Sequence, residues 1–333
     1  MIVIFGELNL DIFYSFKEIV NSPTLQSNNP QIPIEIHPGG KGANHAVAVV
    51  KAGGEAIMVG AVGNDQAGEL LKKALKEYGV DVSYIAQTDS MHTASVMISK
   101  EKGFFGSTIL SGNNANLMNN LTVLEKLGLN KDDILITHFA PNLDEVIKAI
   151  NYADQKGAKV ILNPSPLSDF PTDILSKIDL VIVNEDEAKG VAKLLEYPWS
   201  NYEQFAYDIG NRFHNNWIVT LGKDGSIAYY DHELWRIMAR EVEVIDTIGA
   251  GDTFLGYIAA SISKGESFAH AYKLANIASS LTCTKVGAQN AMPYLEEVME
   301  HYDSSSEPIN LIYSPFNDEC EVMGTDTSFF KAI

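Results

Sequence analysis

Asp246-Thr247-Ile248-Gly249-Ala250-Gly251-Asp252-Thr253-Phe254 sets a carboxylate directly after a Gly-Ala-Gly turn. Glu241 to Ile245 reads as a strand, and the small, apolar run from Phe254 to Ile262 reads as a buried helix, so the turn joins strand to helix. Glycines there permit positive φ and let backbone N–H groups approach a ligand closely. Such N–H groups at a helix N-terminus lack intrahelical acceptors and lie at the positive end of the dipole, which makes an anion site. With an anion in the turn, Asp252 makes sense as a base that takes a proton from a hydroxyl while the N–H groups hold the phosphoryl group under attack. The plainer alternative is an Asp that caps the helix.

Other polar groups stand where ligands bind in α/β proteins. Asn9 and Asp11 alternate just past the short apolar run Ile2 to Phe5, so on an extended chain both side chains point to one side. They could equally be two polar loop residues. Pro38-Gly39-Gly40-Lys41-Gly42-Ala43-Asn44 opens the helix Ala43 to Ala52 and carries a cation and an amide. It lacks the four-residue gap and the hydroxyl residue of a Walker A loop, and its glycines could simply serve tight helix–sheet packing. Asn184 and Glu187 suit outer-sphere binding of a hydrated Mg²⁺, or a capping box. Polar clusters also end the strands near Asn163 and Thr220.

These groups need a frame. Strands at Ala56 to Val62, Ile134 to His138, Lys159 to Asn163, Leu180 to Val183, Trp217 to Leu221 and Ser226 to Tyr230 alternate with helical stretches such as Ala67 to Tyr78. That order predicts a mostly parallel α/β sheet. Residues 12–38, with the alternating piece Ile32 to His37, leave the pattern. Thr93 to Ser99 and Gly106 to Leu110 read as an antiparallel pair that completes a small β-layer with them. Residues 303–333 follow the last helix, Tyr294 to Tyr302, as an appended tail.

Composition narrows the partners. The 333 residues are 46% hydrophobic, ample for a large core, and the net charge of −19 argues against sequence-independent nucleic-acid binding. An enzyme of this charge that handles ATP must concentrate positive field locally or use Mg²⁺. Two cysteines, Cys283 and Cys320, form no disulfide framework or zinc spacing, which suits a cytoplasmic setting. There is no run of 18 apolar residues and no leader pattern before Ile2, so no membrane span is expected.

The two Gly-rich motifs, in this order and near residues 40 and 250, resemble the signatures of the PfkB, or ribokinase-like, carbohydrate kinase family. The likeness runs from Ile2 to about Tyr302, and Gly39 to Val47 with Thr284 to Gln289 look closest to the ribokinase branch. It implies a three-layer αβα domain over residues 1–302, a β-sheet lid from about 12–38 and 93–110, and ATP-dependent phosphorylation of a sugar hydroxyl. It further implies Asp252 as catalytic base, with the N–H groups of Gly249, Ala250 and Gly251 as anion hole. The sugar would be held by Asn9, Asp11, Gly40, Lys41 and Asn44. ATP would meet Asn184, Glu187, Thr220, Gly222, Gly225 and Asn276, with Mg²⁺ reached from Glu187 through water. Asp246 and the carbonyls of Ile248 and Gly287 resemble a monovalent-cation site suited to K⁺. A homodimer through the lid is among the assemblies the family allows.

Two positions depart from the ribokinase pattern. Phe139 stands where a sugar-binding Glu is usual, which predicts weak use of ribose or an acceptor with an apolar group facing the ring. That aromatic also keeps a nucleoside kinase of the same family in view as an alternative. Ala291 replaces a serine beside the cation. A catalytically silent, sugar-sensing relative is a further alternative, although Asp252 and the glycines of its turn are all present.

Overall fold

The computed structural model describes residues 1–14, 35–99, 107–111, 121–139, 142–302 and 309–313. Its main sheet has ten strands. Six parallel ones form the centre: β4 (Ala56–Gly63), β1 (Ile2–Phe5), β8 (Ile134–His138), β9 (Lys159–Asn163), β10 (Leu180–Asn184) and β11 (Asn216–Thr220), in that spatial order. β5 (Ile85–Thr88) extends it in parallel beside β4. On the other side β12 (Ser226–Tyr230), β13 (Glu233–Ile237) and β14 (Ile309–Tyr313) add antiparallel strands.

Central strands are apolar on both faces because helices cover both, and period-two alternation sorts their side chains into two cores. Ile2 and Ile4 of β1 pack in one, Val3 and Phe5 in the other. The first core takes α1 (Lys41–Lys51), α2 (Gln66–Tyr78), α7 (Ala250–Ser263), α8 (Phe268–Thr282) and α9 (Leu295–Tyr302). The second takes α3 (Leu121–Leu127), α4 (Leu143–Lys156), α5 (Glu185–Leu194) and α6 (Tyr202–Phe213). α7 is buried nearly all round, between α1 and α8. Its small residues permit this, since a Cβ at Gly256 would overlap Ala48 of α1.

A separate four-stranded sheet, ordered β3-β2-β6-β7, is built from β2 (Asn9–Tyr14), β3 (Glu35–Gly39), β6 (Ala94–Ser99) and β7 (Ser107–Ser111). β6 and β7 are antiparallel as expected, but the sheet starts at Asn9, before the boundary at residue 12 that the sequence suggested. Ile32 to Ile34 and Gly106, also assigned to it from sequence, lie outside the described residues.

Three other expectations change. Glu241 to Ile245 is not a strand. It runs outside any sheet with Val244 and Ile245 59% exposed, tethered by the Ile245 and Asp246 amides to the Cys283 carbonyl. β-branched residues supplied the propensity there, but among the described residues no neighbouring strand offers a ladder. α7 begins at Ala250, four residues before Phe254, and its N-cap Gly249 sits at φ 79°, a conformation that glycine adopts without a steric penalty. The domain does not stop at Tyr302, since Ile309–Tyr313 pairs with β13; this strand is too short, and its Ser-rich approach too polar, to stand out in the sequence. Among the described residues no helix is long and apolar enough to cross a membrane.

Candidate active site

The first Gly-rich motif is a backbone-packing device, and that packing delivers side chains. Gly40 caps α1 at φ 93°, and a Cβ there would come within 2.7 Å of the Asn9 amide and 2.8 Å of the Glu7 carbonyl. The loop therefore lies flush on residues 7–9, and the Ala43 amide donates to the Glu7 carbonyl at 3.2 Å. Lys41, Asn44 and His45 fall on one face of the helix that follows, by the three- and four-residue spacing of an α-helix. That face meets the first turn of α7.

Asp252 is the third residue of α7 and is buried there. It is not the cap, and the cap residue Gly249 offers no side chain. Asn44 Nδ2 donates to Asp252 Oδ2 at 2.9 Å, and Gln289 Nε2 donates to Asn44 Oδ1 at 3.1 Å. Around Oδ1 lie His45 Nε2 at 3.2 Å and Lys41 Nζ at 3.8 Å. Burial alone would raise this carboxyl, but the Lys41 cation, His45 and Asn44 outweigh it and hold Asp252 well below the ordinary carboxylate range. The Ala250 amide makes a 3.3 Å turn bond to Thr247, while Gly251 and Asp252 contribute first-turn amides that α-helical geometry leaves without an acceptor. A Cβ at Gly251 would meet nothing within 4 Å, so this turn faces open space.

Two further carboxylates share the neighbourhood. Burial, then the charges of Glu7 and Asp252, push Asp11 up to about 7. Glu7 is also raised by burial, although the Lys41 charge and hydrogen bonds from the Lys41 amide and Asn9 oppose the shift. One ammonium thus serves two of these three carboxylates, Asp252 and Glu7, and leaves Asp11 without a cation of its own.

On the other side of Asp252 a cleft of about 810 Å³ opens among Asn184, Thr220, Gly222, Gly225, the 239–244 segment, Gly249 to Asp252 and Asn276. Lys41, Lys223 and Arg240 line it, balanced by Glu185, Glu241 and Asp252, so the cations are interspersed with acids and any phosphate binding falls largely to backbone donors and a bound cation. Gly222 and Gly225 both have positive φ, and Asn276 Nδ2 holds the Met238 carbonyl at 3.0 Å. Asn184 and Glu187 form a full capping box: Asn184 Oδ1 accepts the Glu187 amide and Glu187 Oε2 accepts the Asn184 amide, each at 2.9 Å. Asp246 links two loops, its Oδ1 accepting the Ile248 amide at 3.1 Å and its Oδ2 the Gly287 amide at 3.0 Å.

A cleft rich in backbone donors, with a buried carboxylate at one end beside a cluster of hydroxyl-binding groups, suits transfer from a nucleotide to an alcohol. The comparisons agree, because the family described as pfkB family carbohydrate kinase matches residues 1–295. The chain belongs to that family. The chain is 30% identical to the ribokinase of Haemophilus influenzae over 90% of its length and 97% of the relative's. The crystal structure of ribokinase from Thermotoga maritima superposes with a TM-score of 0.76 at 25% identity, covering 92% of this chain and 99% of that one. A ribokinase of Arabidopsis thaliana complexed with ribose and ATP gives 0.75 at 23% identity, over 91% and 99%. This pfkB kinase is accordingly a ribokinase-like, ATP-dependent carbohydrate kinase that phosphorylates a sugar hydroxyl.

One residue that the sequence set beside the acceptor packs elsewhere. Phe139 turns away from the Asp252 cluster. It is 2% exposed and packs on Phe170 in the second core, ring centroids 4.8 Å apart. The alternation of β8 carries past its end, so His138 turns toward α1 and Phe139 to the opposite face. Ala140 and Pro141 lie outside the described residues. Conversely, Glu7, His45, His138 and Gln289 join the site without having been assigned a role from sequence. Glu7 had a signal, for it continues the Asn9–Asp11 alternation by two residues; His45 lies four after Lys41 on the same helix face.

Proposed function

We propose that Asp252 removes the proton from a sugar hydroxyl as that oxygen attacks the terminal phosphoryl group of ATP, and that first-turn amides of α7 take up the charge on the transferred group. The observation that carries this reading is the position of the Asp252 carboxylate, buried between the nucleotide cleft and the Lys41, Asn9 and Asp11 cluster. With three positive or donor groups around it, Asp252 stays ionised at any working pH. So stabilised a carboxylate is a weak base, however. Lys41 resolves the tension: drawn toward the phosphoryl group, it leaves the carboxylate, and burial then raises its proton affinity as the acceptor arrives.

ATP lies along the cleft in this reading, its phosphates toward Gly249 to Gly251. Glu187 commits Oε2 to the capping box, which leaves Oε1 to reach a hydrated Mg²⁺, and the ion supplies charge neutralisation across the nucleotide phosphates. Asp246 keeps lone pairs beyond its two amide bonds, and a monovalent cation such as K⁺ fits beside it with the Ile248 and Gly287 carbonyls.

The acceptor is a polyhydroxylated sugar, ribose first. Asn9, Asp11 and Lys41 offer acceptors and a donor for several hydroxyls, and Glu7 adds a carboxylate nearby. With Phe139 in the core, the aromatic that favoured a nucleoside has no open face toward an acceptor; the carboxylate usual at that position is still missing, and Glu7 is the nearest substitute for it. A screen of ribose, deoxyribose, fructose, adenosine and pseudouridine for acceptor-dependent ADP release with Mg²⁺ tests this. Ribose is expected to lead, and release that depends on adenosine or pseudouridine alone would reject a free sugar.

The sheet β3-β2-β6-β7 covers the acceptor as a lid, since β2 itself carries Asn9 and Asp11; closure would exclude water and suppress ATP hydrolysis. Saturating acceptor should slow amide exchange in β2 and β6. Unchanged exchange would argue against a lid.

A further inference from the structure

A buried histidine pair lies behind the Asp252 carboxylate. His45 and His138 are both 0% exposed, with ring centroids 5.9 Å apart and planes at 79°. The Glu7 amide donates to His138 Nε2 at 3.3 Å, which makes that nitrogen an acceptor. Burial, with His45 and Lys41 nearby, pushes His138 down to about 3, so its ring is neutral. Its edge-to-face packing fixes the plane of the His45 ring.

His45 is the less satisfied of the two. Its Nε2 lies 3.2 Å from Asp252 Oδ1, but the approach is too bent for a full hydrogen bond, and neither ring nitrogen has a well-directed partner. A wholly enclosed polar group in that state is costly to keep, and catalytic hydrogen bonds are often misaligned before substrate binds. The two oxygens of Asp252 differ in their support. Oδ2 has Asn44, itself held by Gln289. Oδ1 has the Lys41 ammonium at 3.8 Å, on a flexible stem, and the rigid imidazole of His45.

We propose that His45 is a positioning residue for the base: its Nε2–H holds Asp252 Oδ1 when Lys41 turns to the phosphoryl group, so that the carboxylate keeps its aim at the acceptor hydroxyl. This rests on the reading of Asp252 as the base.

The test uses the full-length enzyme and whichever of ribose, deoxyribose and fructose it turns over fastest. His45→Met keeps a similar volume without an N–H donor; kcat should fall about 10–100-fold, the equivalent of one hydrogen bond to a charged group, with both KM values within about twofold. His45→Gln puts an amide N–H near the place of Nε2 and should recover kcat to within about fivefold. In an Asp252→Asn background the His45→Met change should have almost no further effect, because the pair acts as a unit. Wild-type kcat in His45→Met, equal losses in the Met and Gln variants, or full additivity with the residual rate of Asp252→Asn would overturn the inference while Asp252→Asn itself stayed strongly impaired. Turnover that survives Asp252→Asn would remove the base, and the role of His45 with it. Should His45→Met fail to fold, nitrogen NMR of the wild-type ring decides: an Nε2–H tautomer supports the proposal, and a ring protonated only at Nδ1 overturns it.

Discussion

The proposed acceptor side and the proposed nucleotide side of the cleft are made of different material. On the acceptor side, side chains from α1, α7 and the 289 loop interlock: Asp252, Asn44, Gln289 and His45 are all buried and lean on one another. On the nucleotide side much of the wall is loop, with Gly222 and Gly225 at positive φ and Val244 59% exposed, set against the Asn276 to Ser280 face of α8. The first arrangement suits chemistry, which needs groups held to fractions of an ångström. The second suits a ligand of many phosphate oxygens, which backbone amides can hold without any one side chain being decisive. Substitutions should accordingly bite hard on the acceptor side and softly on the nucleotide side.

The largest effect belongs to Asp252→Asn, which keeps the shape of the side chain and removes its basicity. We expect kcat to fall by about 10²–10⁴ while nucleotide affinity, measured by calorimetry, stays near wild type. Turnover close to wild type would erase the distinction between the two sides at its strongest point.

Asp11 gives a pH-dependent effect of intermediate size. Its pKa of about 7 means that the folded enzyme holds the proton over a range where an unfolded chain, at 3.8, has released it. Stability from this group is therefore greatest below about pH 4 and declines as pH rises toward 7. Acceptor binding should move the other way, because the ionised carboxylate accepts sugar hydroxyls. Acceptor kcat/KM should drop on acidification below pH 7, by about tenfold per unit at the limit, and Asp11→Asn should flatten that limb. The same variant should melt higher than wild type above pH 7. A limb that persists in Asp11→Asn assigns it to another group.

The smallest effect is on the nucleotide side. Asn184→Ala removes one arm of the capping box and should cost about 1 kcal/mol in a denaturant melt, with Asn184→Ser restoring most of it. A loss of kcat as large as that of Asp252→Asn would show that a single side chain on this side is decisive, and the contrast would fail.

Much of this was legible in the chain. The run of β1 and the strands β8, β9 and β12 stand where their apolar patterns put them, and both Gly-rich turns open helices as expected. The capping box was equally readable, since it is local. The Asn184–Glu187 element satisfies that bland account in full, and the proposed Mg²⁺ contact is left with one carboxylate oxygen. Glu241 to Ile245 misled because β-branched residues look the same whether or not a partner strand exists. Phe139 misled because a motif position says where the backbone passes, whereas the parity of β8 decides which face the ring takes.

By itself the sequence determined the alternation of strands and helices, the glycine turns and the identity of the carboxylates, because each is written in periodicity or in residues whose backbone freedom is local. What surrounds Asp252 was decided only in three dimensions. Asn44 and Asp252 are 208 positions apart and Gln289 is 245 from Asn44. No local pattern encodes those contacts. They exist because α7 is small enough in side chains to lie against α1, and that packing excludes water from one carboxylate and surrounds it with Lys41, Asn44 and His45.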